Sequence, residues 1–521
     1  MADAWDVAIV GGGHNGLVAA AYLARAGRRV VVLERRSQVG GAAATEEIAP
    51  GFRASTAADF CGLLRPEIVR DLGLAARGLG LIPVDPELVA LGDDGDTLTL
   101  FRDLPRTAEG LRTHSTADAA AYPRFLKMLV QLAAVMDPLL LRTPPDLSGV
   151  GLGEQAFFLR RALRLRKLGK DAMGQALRLP PMSLHQLLRE WFETDLLRAT
   201  LAFGALLGSF RGPRSPGTAF GLLHGALAYV NGGSWALVRG GMGQLAAALA
   251  DAARASGATI RTDAEVRRIL VEDGRAVGVE LASGERVPAR AVASNADPQR
   301  TFLRLVDPAE LDPSFVSAIR AYRATGVLTK MNLALDALPR FAPAADGRPP
   351  VHTRLAPSLD YVERAYDDAK YGRASDEPVL DVILPTLEDS GLAPPGKHVM
   401  GVLVQYTPYG LRRGDWDKAR EKLGEKVLDR LEEAFPGLRP SIVGREILTP
   451  PDLEARFGLT GGHVYHGEMS LDQQFLLRPV PGWGRYRTPI DGLWLCGSGA
   501  HPGGGVTGAP GYNAAREILR S

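Results

Sequence analysis

At 521 residues the chain exceeds one ordinary domain and can bury more than one core. Its 46% hydrophobic and 23% charged residues are those of an ordinary folded protein, not of a fibrous or disordered one. A net charge of +2 supplies no global field for a nucleic-acid partner, and no run of about 18 apolar residues announces a membrane span.

In chain order, Val7-Ala8-Ile9-Val10 reads as a short apolar strand running into Gly11-Gly12-Gly13-His14-Asn15-Gly16. An Ala-rich helix follows from Leu17 to about Ala26. Gly27 stops it, and Val30 to Leu33 makes a second strand that ends on Glu34. Gly11, Gly13 and Gly16 in this strand–loop–helix setting form the G-x-G-x-x-G fingerprint of a dinucleotide-binding βαβ unit. Gly11 permits the tight turn, Gly13 lets the backbone approach a pyrophosphate, and Gly16 lets helix and strand pack closely. The turn around Asn15 opens the helix, whose free N–H groups and dipole favour phosphate. Glu34, 18 residues past Gly16, is placed to accept hydrogen bonds from ribose hydroxyls. A strand beginning at Asp6 leaves no room for a secretory leader, so the expected compartment is the cytoplasm, with no anchor other than peripheral membrane contact.

The next residues, Glu34-Arg35-Arg36-Ser37-Gln38-Val39-Gly40-Gly41-Ala42, lead to Thr45. A Gly pair ending at Gly41, soon after an acidic residue, resembles the extended FAD motif of the amine oxidase and phytoene desaturase superfamily. FAD is therefore the expected cofactor. That superfamily often carries Arg after the pair, where this chain has Ala42. The contact expected of that Arg has to come from elsewhere, Arg35 or Arg36 being nearest. The two cysteines, Cys61 and Cys496, lie far apart, with no C-x-x-C and no second βαβ unit built on a G-x-G-x-x-G. Both absences point away from dithiol and pyridine-nucleotide chemistry.

Farther on, residues 96–101 alternate as a half-buried strand, and Asp118 to Met136 has helical periodicity that Pro138 to Pro145 should break. Residues 157–170 set six basic residues among Phe157, Phe158, Leu159, Leu163, Leu165 and Leu168. Such a basic amphipathic helix either lies on an anionic membrane surface or packs its apolar face on its own domain. Leu184 to Phe210 reads as one buried helix. A second glycine-rich start, Arg239 to Leu245, opens a helix to about Ala255. Strands follow at Thr259–Arg261, Glu265–Ile269, Val277–Leu281 and Arg290–Ala296. In related flavoproteins the position of Val266 meets the adenine through its backbone. Thr325 to Ala334 and Val399 to Tyr406 read as strands, and Asp417 to Ala434 as a charged surface helix.

Leu493-Trp494-Leu495 then enters Cys496-Gly497-Ser498-Gly499-Ala500-His501-Pro502-Gly503-Gly504-Gly505-Val506, before a last helix from Thr507 to Leu519. A strand, a glycine-rich turn and a helix N-terminus suit the ribityl and N1/O2 end of a flavin, with Gly497, Ser498 and Val506 as contacts. The stretches GGGHNGLVAAAYLARAG, ERRSQVGGAAATEE, GGMGQL, GGHVYHGEMSLDQQ and LCGSGAHPGGGVTGAPGYNAAR resemble the carotenoid/retinoid oxidoreductase family of phytoene desaturase-like flavoproteins. Within it they are closest to a branch named for a pyridine nucleotide-disulfide oxidoreductase domain, then to the phytoene-desaturase-like β-carotene ketolases. The resemblance spans essentially the whole chain. It implies an α/β, Rossmann-like FAD-binding domain (segments 1–75, 235–300 and 485–521) interleaved with an α+β substrate domain (76–234 and 301–484). It also implies FAD-dependent oxidation, desaturation or isomerisation of a hydrophobic small molecule, polyene-like substrates included. The alternatives are a flavin amine oxidase and a FAD-stabilised interaction protein without turnover.

Candidate catalytic residues follow from what a flavin site needs, a dry pocket and few polar groups. Lys330 resembles the strand lysine that reaches flavin N5 through a water in amine oxidases, or is a surface lysine. Tyr465 and His466, in a glycine-rich loop with His463, line the substrate side or satisfy the loop. His501 shapes the turn beside it. His463 and His466 lack a third partner at ligand spacing, so no metal is expected.

Overall fold

The computed structural model describes residues 4–146, 149, 151–341 and 347–521. Two seven-stranded sheets organise it. In the first, Trp5–Val10 lies between Val30–Leu33 and Arg286–Ser294, all parallel, with Thr259–Arg261 beyond Val30–Leu33 and Leu493–Leu495 alongside the end of Arg286–Ser294. An antiparallel flap, Val266–Glu272 with Arg275–Leu281, extends the other half of Arg286–Ser294. The core strands are continuous apolar runs because both faces of the sheet are buried, as parallel pairing requires. His14–Arg25, Met242–Ala255 and Ala509–Arg520 pack together on one side, and their small residues let them approach closely. A Cβ on Gly511 would sit 2.0 Å from the Asn15 carbonyl oxygen, so only glycine permits this crossing.

The second sheet runs Ile442–Leu448, Leu328–Leu335, His398–Gln405, Val379–Ile383, His352–Leu355, Leu88–Leu91, Thr97–Leu100. Among the described residues only the His352–Leu355/Leu88–Leu91 pair of this sheet is parallel. The helix Trp416–Ala434 covers one face with Leu423, Val427, Leu428 and Leu431. Strands of the first sheet come from residues 5–33, 259–294 and 493–495, and those of the second from 88–100 and 328–448. This is the α/β, Rossmann-like fold.

Four boundaries depart from the sequence reading, two of them for a tertiary reason. The first helix starts at His14, not Leu17, so His14, Asn15 and Gly16 form its first turn. The helix beginning at Thr116 passes through Pro138 and ends at Leu140. Its last carbonyls have partners that Pro cannot remove. His501 Nε2 meets the Leu139 oxygen at 2.9 Å, and Asn513 Nδ2 donates to that of Leu140 at 2.8 Å. The single helix expected over Leu184–Phe210 is two, Leu184–Trp191 and Asp195–Leu206. The buried Asp118 carboxylate accepts from the Glu193 and Thr194 amides, both at 2.8 Å, and so starts the second helix from another element. The last helix begins at Ala509 rather than Thr507.

Asp118→Ala should leave two amides without acceptors. At about 1–3 kcal/mol for each unmet group, stability falls by about 2–6 kcal/mol. Urea denaturation measures it, and a loss below about 0.5 kcal/mol would contradict the cap.

Candidate functional site

In a parallel sheet, ligands bind at the carboxyl ends of the strands. Here those ends converge on one groove. Gly11 follows Val10, Glu34 follows Leu33 and Asn295 follows Ser294, and all three line it. Gly13, Asn15, Arg35, Gly41, Ala42, Val266 and Ser498 line it too, as do His14, Arg36 and His466.

Gly11 has φ +94°, open to glycine at little cost. A Cβ on Gly16 would lie 2.3 Å from the Gly11 carbonyl oxygen, and one on Gly13 would lie 2.7 Å from Asn295 Nδ2. Gly16 and Gly497 therefore act through packing; a Cβ at 497 would strike the Asn295 carbonyl at 2.6 Å. Glu34 is buried, and its two oxygens accept from the Gly12 amide at 2.7 Å and the Arg36 amide at 2.9 Å. Lone pairs remain for further donors. Arg35 donates to the Ala455 carbonyl at 2.7 Å. Arg36 pairs with Glu46 and lies 4.9 Å from the Phe457 ring. Asn15 Nδ2 donates to Ser498 Oγ at 3.0 Å, joining the two ends of the chain across 483 residues. Val506, at φ +57°, packs against the first core and lies outside the groove lining.

The residues fit a dinucleotide. Four buried polar atoms, His14 Nε2, Asn15 Oδ1, Arg36 Nη1 and His466 Nδ1, have no partner among the described residues, and all four residues line this groove. Unmet donors and acceptors in one channel are what phosphates, ribose hydroxyls and a heteroaromatic edge would satisfy.

Beside the groove lies a cavity of about 530 Å³, mostly apolar, with Phe60, Leu126, Leu201, Phe220, Trp235 and Met469 in its walls. Tyr465 lines the cavity while its neighbour His466 lines the groove, so two consecutive residues separate the two spaces. Burial pushes the Tyr465 phenol up to about 12. His466, at φ +57°, is pushed down by burial, against the pull of Asp297. Burial also takes His463 down to about 3 and His14, His224 and His501 to about 4, with the Arg478 charge adding to this at His463, His224 and His501. Lys330 is not a surface lysine. It is 1% exposed, and both Asp59 oxygens hold its ammonium at 2.6 Å. It borders neither groove nor cavity. Both cysteines are free and buried, which pushes the Cys61 thiol up to about 12 and raises that of Cys496.

Sequence reasoning missed Asn295, whose position directly after a parallel strand is the signal that could have found it. It also missed His14 and the cavity residues Phe60, His224 and Trp235, which come from separate elements and share no pattern.

The model of the flavin-containing amine oxidoreductase family matches residues 16–519. Pyridine nucleotide-disulfide oxidoreductase domain-containing protein 2 of Rattus norvegicus is 41% identical, over 99% of this chain and 93% of that protein. A limonene dehydrogenase component of Castellaniella defragrans is 30% identical, over 99% and 94%. Hydroxyneurosporene desaturase of Cereibacter sphaeroides is 30% identical, over 98% and 97%. Among solved structures, putrescine oxidase bound to putrescine superposes with a TM-score of 0.63 at 17% identity, over 99% of both chains, a likeness of fold.

The buried histidines give a pH dependence with a definite sign. Their folded pKa values lie below the unfolded value of 6.5, so the folded state binds fewer protons. The stability they contribute is full above about pH 6.5 and is lost as pH falls towards 4. Thermal denaturation across this range should show a flat Tm above pH 7 and a steep fall below 6.5, shallower in His463→Asn. A Tm unchanged down to pH 4 would contradict these assignments.

Proposed function

The chain belongs to the flavin-containing amine oxidoreductase family, with FAD as its cofactor, and on that footing we propose that it oxidises, desaturates or isomerises an apolar small molecule, polyene-like ones included. The observation that carries this reading is the apolar cavity of about 530 Å³ meeting the groove at Tyr465 and His466. Relatives named for limonene and hydroxyneurosporene support an apolar substrate.

FAD bound in the groove supplies a two-electron acceptor. In this reading Gly11, Gly13 and the first turn at Asn15 and Gly16 receive the pyrophosphate, and Glu34 the ribose. Val266 meets the adenine through its backbone, Arg35 and Arg36 stand in for the arginine that Ala42 replaces, and Gly41, Gly497, Ser498 and Val506 shape the flavin end. Phe60, Leu126, Phe220 and Trp235 keep water from the substrate. With its raised pKa, the Tyr465 hydroxyl stays protonated and can donate, while neutral His466 can accept a proton at Nδ1. Lys330, bound to Asp59, holds the strand beneath the site.

A peripheral membrane contact belongs to the same proposal. Among the described residues no helix is long and apolar enough to cross a membrane. No side chain of the helices Leu152–Lys167 and Lys170–Arg178 is fully buried; Leu165 and Ala176 pack partly against the core, whereas Leu152, Leu159, Leu163 and Leu177 are exposed beside the cations. Leu152–Lys167 touches the helix Thr116–Leu140, whose Leu126 and Leu129 line the cavity. An apolar substrate dissolved in lipid would thus reach the cavity from the bilayer. Each cation near an anionic surface is worth about 1 kcal/mol before screening.

Anaerobic mixing tests the reaction. Polyene or terpene hydrocarbons should bleach the flavin absorbance; bleaching by primary amines alone would make the protein an amine oxidase, and bleaching by neither would favour a protein without turnover. In flotation at low salt the protein should bind anionic liposomes. Replacing Arg160, Arg161, Arg164 and Arg166 by Glu should release it with FAD content unchanged, and a wild type that ignores such liposomes would refute the contact.

A further inference from the structure

The sheet-side wall of the cavity carries a charged cluster that the reaction described above does not use. His352 and Arg354 lie on His352–Leu355, Asp381 stands opposite Arg354 in register on Val379–Ile383, and Glu87 directly precedes Leu88–Leu91. All four line the cavity. Arg354 Nε donates to Asp381 Oδ1 at 2.8 Å, and its Nη1 to the Thr200 carbonyl at 2.7 Å. His352 stands between two acceptors, with Nδ1 2.8 Å from the Glu87 carbonyl oxygen and Nε2 2.9 Å from Asp381 Oδ1. Neither a carbonyl nor a carboxylate oxygen has a proton to give, so the ring is held here as a donor to this wall. Against burial, which raises it, Arg354 and His352 bring the Asp381 carboxyl down to about 2. The Tyr229 hydroxyl donates to Glu87 Oε2 at 3.0 Å, while Glu87 Oε1 is without a partner among the described residues.

The charges then decide what this wall accepts. Arg354 offsets Asp381 within the wall, and burial raises the Glu87 carboxyl towards its neutral form. A carboxyl held neutral offers no counter-charge to a cation taken out of water. A hydroxyl suits both states, since it donates to the ionised carboxylate and accepts from the protonated one.

We propose that Glu87 anchors the substrate, and that the molecule this cavity takes carries a hydroxyl group on an apolar body rather than an amine. The inference rests on the reading of the cavity as the substrate site. Isothermal calorimetry on the FAD-loaded protein tests it with octan-1-ol, octylamine and 1-chloroheptane as probes. The alcohol should bind at least tenfold more tightly than the other two, an advantage of about 1.4 kcal/mol. Glu87→Leu should abolish that advantage with FAD content unchanged, whereas Glu87→Gln, which keeps an acceptor oxygen, should retain most of it. A merely structural role for Glu87 would not distinguish the probes. An amine or chloride that binds as well as the alcohol, an advantage that survives Glu87→Leu, or no heat from any probe would overturn the proposal. The flavin absorption band, recorded in the same titration, separates the two readings. A preserved alcohol preference with an unperturbed band counts against the cavity's place beside the flavin and leaves Glu87 as the anchor.

Discussion

Arg478 is fully buried, and its guanidinium donates to five backbone carbonyls: those of Tyr465, Gly467, Glu468, Gln473 and Ser498. Taking a cation out of water costs several kcal/mol, which only a complete set of acceptors offsets. These acceptors belong to the two loops that matter most. Residues 465–473 separate groove from cavity, and Ser498 lies in the glycine-rich turn after the last strand of the first sheet. Because Ser498 also accepts from Asn15, one chain of contacts ties the opening fingerprint, the closing turn and the cavity wall together. The guanidinium thus holds the backbone of Tyr465, while the Tyr322 hydroxyl holds that of His466 at 2.8 Å.

The same buried charge sets the electrostatics around it. Burial and the Arg478 cation both disfavour a second positive charge on His224, His463, His466 or His501. The region between groove and cavity is thus lined by neutral rings and a protonated phenol, a surrounding in which an apolar molecule and a heteroaromatic ring can meet without water. The charged cluster Glu87, His352, Arg354 and Asp381 is carried by the second sheet instead, while Arg211 and Asp472 line the cavity from loops. The interleaved chain allows this division, because the strands that build one sheet are spliced between those that build the other.

How much of this was legible in the sequence depended on the range of the interaction. Gly11 to Glu34 and Leu493 to Ser498 were readable because strand, turn and helix are local, although the steric limits on Gly13 and Gly497 are set by the distant Asn295. The family resemblance added the cofactor. The break at Phe192 was hidden because Asp118, on another helix, supplies the cap, and the helix through Pro138 because His501 and Asn513 hold its final carbonyls. Lys330 looked like one residue of an alternating strand, yet all eight residues of Leu328–Leu335 are buried, and its partner Asp59 lies 271 residues away. Arg478 finds its acceptors 5 to 20 residues away through loop geometry, and the Glu87–His352–Asp381 cluster spans 29 to 265 residues, so no spacing announces either.

The central claim is that the dinucleotide groove delivers the flavin ring to the wall of the apolar cavity at Tyr465 and His466. A crystal structure of the protein with FAD tests this most directly. The account predicts the adenosine end beside Glu34 and Val266, the pyrophosphate over the first turn of His14–Arg25, and the isoalloxazine ring against Tyr465 with one edge open to the cavity. A ring lying elsewhere, or cut off from the cavity by the 465–473 loop, would contradict it.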